Sequence, residues 1–369
     1  MGWRNWIGIG VLVFAVWAAP RVLSALDANY VLVQLNLSGL TVLVCLGLVL
    51  LMGYAGQLSL GHAGFFALGA YASAILTAHA NLAGWQGAWP IRLGLAWQVL
   101  REGQDWMGEP FVRFAPWAAV PLAMVLAAGA ALLLGLATLR LRGHYMAMAT
   151  LGFGFIIYNL AVNFVSLTRG PGGIQSIPEM PWLGIDEGRW HVAIWAVVIV
   201  TMILMLNTTH SRVGRALRSI HGGEEAARAM GVDTVRLKLI VFVLSAMLAA
   251  FAGSLYAHKF SYVGPEVAGV SESIWLVTFV AVGGMANLWG GLVAALVLRM
   301  LFLSGYFGEY TEFVFGMILV VVMMSMRDGV PGAMRQGWRL LHDRLGRRSD
   351  RRAEAESWST AGAGADALG

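Results

Sequence analysis

Apolar stretches, most of them close to twenty residues long, follow one another along this chain and are separated by short polar or glycine-rich segments. A stretch of about 20 apolar residues is long enough to cross a bilayer as a helix. Backbone groups inside lipid must be satisfied within the segment, so helices are expected rather than open strands. The composition agrees, with 58% hydrophobic residues, 12% charged residues and a mean hydropathy of +0.70. The sequence therefore predicts an all-α polytopic membrane protein.

About ten spans are predicted within residues 1–326, some of them short or broken by glycine-rich segments. They cover residues 6–26, 31–52, 53–76, 117–139, 145–165, 191–206, 239–257, 272–285, 289–304 and 309–326. The third begins with the polar, glycine-rich residues 53–64, a pattern typical of a turn or broken helix that leads into a span. Residues 327–369 are basic and end in a run of small residues, which predicts a partly disordered tail at the membrane surface.

The distribution of basic residues indicates the orientation of these spans. Arg140 and Arg142 follow the fourth span, further basic residues lie in 211–238, and a run of arginines begins at Arg327. Cytoplasmic segments are enriched in such residues, so these segments and both termini are predicted to be cytoplasmic. The tryptophan-rich segment 79–116 then becomes an extracytoplasmic loop with a short interfacial helix, and a plain linker is the alternative.

Residues 211–238 form a long polar segment between two spans. They must lie in water, because each charged side chain costs about 3 kcal/mol at the centre of the bilayer. Gly222 and Gly223 divide the segment, which predicts two short helices joined by a tight turn. Apolar residues recur with helical spacing on these helices at Val213, Leu217, Ile220, Ala227 and Met230.

Local signals define the second helix of this pair. Glu224 and Glu225 open it, where the positive end of the helix dipole favours acidic side chains. Gly231 is predicted to end it, and Asp233 to cap the span that follows. Such a pair has the shape of a docking element. A solvated basic loop that only marks the cytoplasmic side is the alternative interpretation.

Motifs for nucleotide binding, metal binding or covalent catalysis do not occur in the sequence. There is no GxxxxGK[ST] phosphate loop and no HExxH, CxxC or GxSxG motif, so neither a cofactor in this chain nor an enzyme is predicted. Cys45 can form no internal disulfide. His62 and His144 lie near span ends, where hydrogen-bonded histidines are commoner than haem ligands. The net charge of +5 is concentrated in loops and the tail, so nucleic acid is not a predicted partner.

Charged residues within the spans are scarce, and Arg299 is the clearest exception. A proton- or sodium-coupled carrier usually keeps ionisable groups at mid-membrane. Their scarcity favours energy supplied by a separate protein. An ion-coupled secondary carrier and a membrane-embedded cofactor enzyme with paired histidines are the alternatives.

The sequence EEAARAMG at 224–231 resembles the EAA loop of ABC-importer permeases, in which short coupling helices sit in a groove of the ATPase. Further motifs are GYAGQLSLGHAGFFALGAYASA, LRLRGHYMAMATLGFG, LTRGPGG, GRALRSI, KLIVFVLSAMLAAFAGSLYAH and VGGMANLWGG. In this order, over residues 31–326, they resemble the LivM-like permease subunits of branched-chain amino acid ABC importers. Phe155, Arg169, the long 79–116 loop and RDGVPGAM after the last span depart from the usual pattern of that family.

This resemblance implies a non-catalytic, membrane-spanning permease subunit of an ATP-driven importer in the bacterial cytoplasmic (inner) membrane. It would form part of the pathway for branched-chain amino acids or related small solutes, with amides, urea and aromatic or alicyclic acids as alternative substrates. The implied partners are a second homologous permease, two cytoplasmic ATPase subunits that bind ATP and Mg²⁺, a periplasmic substrate-binding protein and the lipid bilayer. The residues expected to couple to the ATPase are Arg215, Arg218, Glu224, Glu225, Ala226, Ala227 and Gly231.

Two glycine-rich breaks share one pattern and suggest an internal repeat around the pathway. Each has a glycine, an amide four residues on, a leucine next and a glycine eight residues on: Gly53, Gln57, Leu58 and Gly61 against Gly283, Asn287, Leu288 and Gly291. Transporters often place such broken segments at their binding sites, although glycines that only pack helices are the alternative. The candidate pathway residues are Gln57, Ser59, His62, Thr150, Asn159, Asn163 and Asn287.

Overall fold

The computed structural model describes residues 3–25, 28–79, 95, 97–104, 110–138, 144–184 and 186–325. Within them the chain forms thirteen α-helices and four short strands. The helices are α1 Trp3–Ala25, α2 Asn29–Val49, α3 His62–Ala74, α4 Pro116–Thr138, α5 His144–Asn163, α6 Val165–Thr168, α7 Glu187–His210, α8 Arg212–Gly222, α9 Glu224–Ala229, α10 Thr234–Phe260, α11 Val270–Gly283, α12 Leu288–Leu303 and α13 Thr311–Ser325. The strands are β1 Leu100–Gln104, β2 Pro110–Phe114, β3 Ile174–Gln175 and β4 Tyr262–Val263.

Every predicted span is occupied by a helix, which confirms an all-α, multi-pass membrane protein. Among the described residues, six helical segments are long and apolar enough to cross a bilayer: Asn5–Ala25, Asn29–Tyr54, Pro116–Thr138, Tyr145–Asn163, Glu187–His210 and Thr234–Phe260. Three apolar helices are shorter: His62–Ala78, Val270–Gly283 and Leu288–Leu303. These three flank the glycine-rich breaks, so the prediction of short segments there is also confirmed.

Two helices extend well beyond the predicted spans. The predictions at 191–206 and 239–257 covered only the apolar centres of α7 and α10, because polar end turns carry no hydropathy signal. The Asp186 side chain caps α7 by accepting from the backbone N–H of Gly188 at 3.0 Å. The added turns contain Glu187 of α7 and Lys259 of α10, which form an ion pair with each other.

The described part of the 79–116 loop is an antiparallel hairpin that the sequence did not predict. Strands β1 and β2 pair with Leu100 opposite Phe114, and Leu100 and Val112 are buried. The short interfacial helix predicted within this loop was given no bounds, and three of the four tryptophans on which it rested, Trp85, Trp89 and Trp106, lie outside the described residues. A second pairing, β3 with β4, joins the segment after α6 to the segment after α10.

Helix α2 lies at the centre of the bundle, with α7, α10, α11 and α12 packed around it. In the apolar stretch of α2, 89% of the residues are buried inside the chain. The corresponding share for α1, which lies at the periphery, is 11%. A helix that is apolar on all sides is expected in such a central position. Helices α3 and α10 pack closely, because a β-carbon added at Gly253 would overlap the carbonyl group of Phe66.

Connections gather at two ends of the bundle because consecutive spans alternate in direction. The turn Leu50–Tyr54, the helices α8 and α9 and the short link 284–287 meet at one end, which we call the α8–α9 end. The β1–β2 hairpin, the β3–β4 pair and the turns at 265–268 and 308–310 lie at the other, the hairpin end. Residues 139–143 and 326–369, which would also be connections or tail, fall outside the described residues.

Candidate functional site

The two helices predicted in the polar segment are present as α8 and α9, and their local caps explain where they begin. The Ser211 hydroxyl accepts from the backbone N–H groups of Val213 at 3.1 Å and Gly214 at 3.4 Å. Such a cap satisfies donors that the first helical turn leaves unpaired. Leu217 and Ile220 are buried and fix α8 to the bundle.

The break between the helices occurs at Gly223, and Gly231 follows α9 with a φ of +83°. That left-handed conformation favours glycine, so the predicted stop signal is observed. The Asp233 carboxylate caps α10 by accepting from the backbone N–H of Arg236 at 3.0 Å, also as predicted. The chain therefore leaves α9 and enters α10 within a few residues, which leaves little slack between them.

The five apolar residues with helical spacing in this segment differ in burial. Leu217, Ile220 and Ala227 are at most 4% exposed, but Val213 is 43% and Met230 is 72% exposed. The helical spacing of the five residues was predicted, but their burial was not. Val213 lies in the exposed first turn of α8. A new helix begins after Gly223, and Met230 lies beyond the last residue of α9. Residue spacing counted across this break therefore does not indicate which residues share a helix face.

The seven residues expected at the coupling surface fall into two groups. Those whose side chains or backbone are exposed are Arg215, Arg218, Glu225, Ala226 and Gly231. Ala227 is fully buried, and Glu224 is partly buried by contacts inside the chain. The exposed group, together with Met230, presents a mixed basic, acidic and apolar surface at the α8–α9 end. Met230 had no signal in the sequence that would distinguish it from a core residue.

Glu224 joins α9 to the start of α10. Its carboxylate accepts from Lys238 Nζ at 2.5 Å and from Arg228 Nη2 at 3.2 Å, and Arg228 also donates to Thr234 Oγ1 at 3.3 Å. The hydrogen bond from Lys238 lowers the pKa of Glu224 below its ordinary value, with burial opposing it. Helices α9 and α10 are therefore joined by charged contacts as well as by the short connection.

Helix α8 also contacts the first glycine-rich break. His221 packs on Gly56, where a β-carbon would lie 2.9 Å from the imidazole Nδ1. Gly53 in the same break packs on the backbone of Met285 and Ala286 in the second break, without room for a β-carbon. The two segments that share a sequence pattern thus touch each other, and α8 rests on one of them.

Several candidate pathway residues are buried at the junction of α3, α5 and α10. Ser59 Oγ lies 3.0 Å from His62 Nδ1, and His62 Nε2 lies 2.7 Å from Ser245 Oγ on α10. Thr150 Oγ1 accepts from the backbone N–H of Leu60 at 3.0 Å, which holds the break against α5. These side chains join helices to each other at this junction.

Two amides mark the glycine-rich breaks themselves. Asn287 caps α12, with Oδ1 accepting from the backbone N–H of Gly290 at 3.2 Å. Gln57 is 4% exposed, and its Oε1 atom has no hydrogen-bond partner among the described residues. The two positions correspond in the sequence pattern but differ in structure, because α12 starts directly after Asn287 whereas α3 starts only at His62.

Asn159 and Asn163 lie on a different face from the other candidates. Asn159 Nδ2 donates to the carbonyl of Phe155 at 2.8 Å, and Asn163 Nδ2 donates to the carbonyl of Asn159 at 2.9 Å. Phe155 and Met148, at helical spacing on the same side of α5, are 54% and 68% exposed. This side of α5 therefore points away from the bundle and carries polar groups at span depth. The seven candidates do not form one cluster.

Ionic contacts between spans were largely missed by sequence reasoning, although Arg299 was noted. Arg299 on α12 pairs with Glu272 on α11, Nη1 lying 3.2 Å from Oε2. Glu187, which pairs with Lys259, also accepts from Asn36 Nδ2 on α2 at 2.9 Å. The partners in each contact are separated by many residues, so their pairing has no local signal.

The bundle of apolar helices with its exposed helix pair defines a multi-pass membrane protein. The family described as branched-chain amino acid transport system / permease component matches residues 30–323, and the chain belongs to that family. Among individual relatives, the high-affinity branched-chain amino acid transport system permease protein LivM of Escherichia coli K12 is 31% identical over 241 residues. That alignment covers 58% of this chain and 57% of the relative.

Two other relatives are more distant. The permease protein LivH of a high-affinity branched-chain amino acid transport system in Salmonella typhimurium is 28% identical over 184 residues, which cover 46% of this chain and 59% of the relative. The L-arabinose transport system permease protein AraH of Escherichia coli K12 is 29% identical over 155 residues, which cover 38% of this chain and 47% of the relative. The chain thus spans about half the length of these relatives. No solved structure matches it significantly.

Proposed function

We propose that this chain is the non-catalytic, membrane-spanning permease subunit of an ATP-driven ABC importer. The observation that carries the proposal is the helix pair α8–α9, which is exposed on one side and fixed on the other to α10 and to the glycine-rich breaks. Its partners would be a second homologous permease, two cytoplasmic ATPase subunits that bind ATP and Mg²⁺, and a periplasmic substrate-binding protein. The substrates would be branched-chain amino acids or related small solutes, as the names of the LivM and LivH relatives suggest.

In this proposal the ATPase contacts the exposed surface formed by Arg215, Arg218, Glu225, Ala226 and Gly231. Ala226 and Gly231 have small or no side chains, which permits close approach of the partner, while the charged residues set the register of docking. Closure of the ATPase subunits pushes α9. The Glu224–Lys238 contact passes the displacement to α10, and the contact of His221 with Gly56 passes it to the breaks.

The pathway would lie along the outward side of α5, between this chain and the second permease. Asn159 and Asn163 lie on this side, and polar side chains within membrane spans usually face protein or a water-filled cavity. A second permease that covers this side would enclose both amides with Phe155 as an apolar wall. In this proposal the buried residues transmit movement between helices behind the pathway; they are Gln57, Ser59, His62, Thr150 and Asn287.

The docking role is tested by reversing one exposed charge at the α8–α9 end. Glu225→Lys leaves the Glu224 contacts intact and places a positive charge on the docking surface. We expect it to abolish co-purification of the ATPase subunit and ATP-dependent uptake. Glu309→Lys, the same charge change on an exposed residue at the hairpin end, should preserve co-purification of the ATPase subunit. Normal ATPase binding and uptake by Glu225→Lys would exclude this surface as the coupling site.

A further inference from the structure

A groove of about 730 Å³ lies on the outside of the bundle, between the last turns of α1 and the first turns of α7. Three charged residues line it: Arg21, Asp186 and Arg189. All three are exposed. Most of the remaining wall is apolar or small, and it includes Trp17, Trp182, Val192, Ala193 and Ala196.

The groove changes from polar to apolar along its length. Arg21 lies near the end of α1 and Arg189 lies in the first turn of α7, so both are at the hairpin end of their spans. Because α1 runs toward this end and α7 runs away from it, residues before Arg21 and after Arg189 lie deeper in the membrane. These are Trp17 on α1 and Ala193 and Ala196 on α7. A polar end at the membrane surface and an apolar length below it match the headgroup and acyl chains of a phospholipid.

Arg21 carries the uncompensated charge of the groove. Asp186 is already engaged, since Oδ2 lies 3.3 Å from Arg189 Nε and Oδ1 accepts from the backbone N–H of Gly188 at 3.0 Å. Among the described residues, Arg21 forms no ion pair with a carboxylate. The groove therefore has one excess positive charge.

The orientation of Arg21 directs this charge toward the membrane. Its Nη1 donates to the carbonyl of Trp17 at 2.8 Å, and the guanidinium carbon lies 3.8 Å from the centre of the Trp17 ring. The side chain thus folds back by one turn into the span and does not extend toward water. A charged group at such a depth usually has a partner of opposite charge. Where the surroundings are lipid, that partner is a lipid phosphate.

Two exposed tryptophans mark the level of the groove in the bilayer. Trp17 is 57% exposed and Trp182 is 63% exposed, and both line the groove. Tryptophan is enriched at the membrane–water interface, where its ring lies at the level of the lipid headgroups. The arginines therefore lie close to the level of the phosphates.

We propose that this groove binds one anionic phospholipid from the leaflet at the hairpin end. The lipid phosphate would accept from Arg21 and Arg189, and an acyl chain would lie against Val192, Ala193 and Ala196. An anionic headgroup matches the single excess charge, whereas a zwitterionic headgroup brings its own cation close to the two arginines. The proposal does not rest on the importer function, because it uses only the contacts of α1 and α7.

A lipid in this groove would fasten α1 to the bundle. Helix α1 contains the least buried of the six long apolar segments, with 11% of its apolar stretch buried. Near its other end, Trp289 Nε1 on α12 donates to Asn5 Oδ1 at 3.3 Å. A phosphate in contact with both arginines would supply the corresponding link to α7 at the hairpin end.

The test is native mass spectrometry of the purified full-length chain in detergent. The chain is titrated with phosphatidylglycerol, which is anionic, or with phosphatidylcholine that carries the same acyl chains. We expect the first phosphatidylglycerol to bind about fivefold or more tightly than the first phosphatidylcholine, as for one charge-assisted contact at a partly exposed site. Glycerophosphoglycerol, the same headgroup without acyl chains, should not displace the lipid at equal concentration.

Each of these comparisons can overturn the proposal. Equal affinity for the two lipids would mean that the groove recognises acyl chains only. Displacement by glycerophosphoglycerol would indicate a site for soluble anions. Absence of bound phosphatidylglycerol on a chain that still unfolds cooperatively would assign the groove to another occupant, such as a helix of a second permease.

Variants locate the lipid. Arg21→Gln removes the uncompensated charge and should abolish the preference for phosphatidylglycerol, while Arg21→Lys keeps the charge and should retain it. Ala196→Phe fills the apolar part of the groove and should weaken the binding of both lipids. Arg169→Gln is the matched control, because Arg169 is an exposed arginine at the same end of the bundle but outside the groove.

The control should keep the full preference for phosphatidylglycerol. An undiminished preference in Arg21→Gln, or an equal loss in Arg169→Gln, would place the lipid elsewhere and overturn the proposal. Neither result bears on ATPase docking, because the assay contains no ATPase.

Discussion

Single glycines decide how closely the two glycine-rich breaks approach each other. Gly53 packs directly on the backbone of Met285 and Ala286, so a β-carbon there would meet main-chain atoms and not a flexible side chain. Main-chain atoms cannot move aside by changing rotamer. Gly129 on α4 is the opposite case, because a β-carbon there would have no neighbour within 4 Å among the described residues.

Gly53→Ala is expected to destabilise the chain by about 1–3 kcal/mol, the usual range for overpacking in a well-packed interior. Thermal unfolding of the purified chain in detergent should show a clear fall in Tm. Gly129→Ala is the matched control and should leave Tm unchanged or slightly higher, since alanine favours helix over glycine. Equal Tm values for the two variants would mean that the breaks do not pack as described.

At the level of elements, Glu224 on α9 is hydrogen-bonded to Lys238 on α10. The carboxylate is 27% exposed and accepts from both Lys238 and Arg228. The hydrogen bond from Lys238 lowers the pKa of Glu224, so the charged form of Glu224 stabilises the folded chain. This contribution is complete above the ordinary pKa of 4.5 and is lost as the pH falls through the lower pKa of the folded state.

Glu224→Gln should therefore lower the stability of the purified chain at pH 7 by about 1 kcal/mol, the upper part of the range for a partly exposed ion pair. The difference in Tm from the unsubstituted chain should shrink as the pH is lowered below 4.5 and vanish once Glu224 is protonated in the folded chain. Glu312→Gln, an exposed acidic residue at the start of α13, is the control and should show little difference at any pH. A Tm difference that persisted at low pH would argue against the charge-assisted contact.

For the whole molecule, the alternating spans separate His221 at the α8–α9 end from Glu309 at the hairpin end. The positive-inside rule predicts that the α8–α9 end is cytoplasmic. Both residues are exposed, and Cys45 is buried, so the natural cysteine should not react with a membrane-impermeant maleimide.

Labelling of intact cells should therefore modify a chain carrying Glu309→Cys and spare one carrying His221→Cys. After the membrane is permeabilised, both should react. The two variants serve as controls for each other, since labelling of the Glu309→Cys chain shows that the reagent reaches the protein in intact cells, and labelling of the His221→Cys chain after permeabilisation shows that its thiol can react. Reaction of the His221→Cys chain in intact cells would reverse the predicted topology and remove the α8–α9 end from reach of a cytoplasmic ATPase.

Much of this architecture follows from the sequence alone. The apolar stretches predicted the helices and their order, because a bilayer requires every backbone group in a span to be satisfied within the helix. Ser, Asp and Gly signals predicted the caps and ends of the helix pair, since capping depends on residues a few positions apart. The family pattern was likewise visible in motifs such as EEAARAMG.

Only the tertiary structure decided which polar groups meet. Local patterns did not indicate that Met230 is exposed, that the two glycine-rich breaks touch, or that Arg21 and Arg189 line one groove. They also did not separate Asn159 on the outward side of α5 from His62 in the interior. The physical reason is that hydropathy and capping act between near neighbours in the chain, whereas these contacts join side chains brought together only when the helices pack.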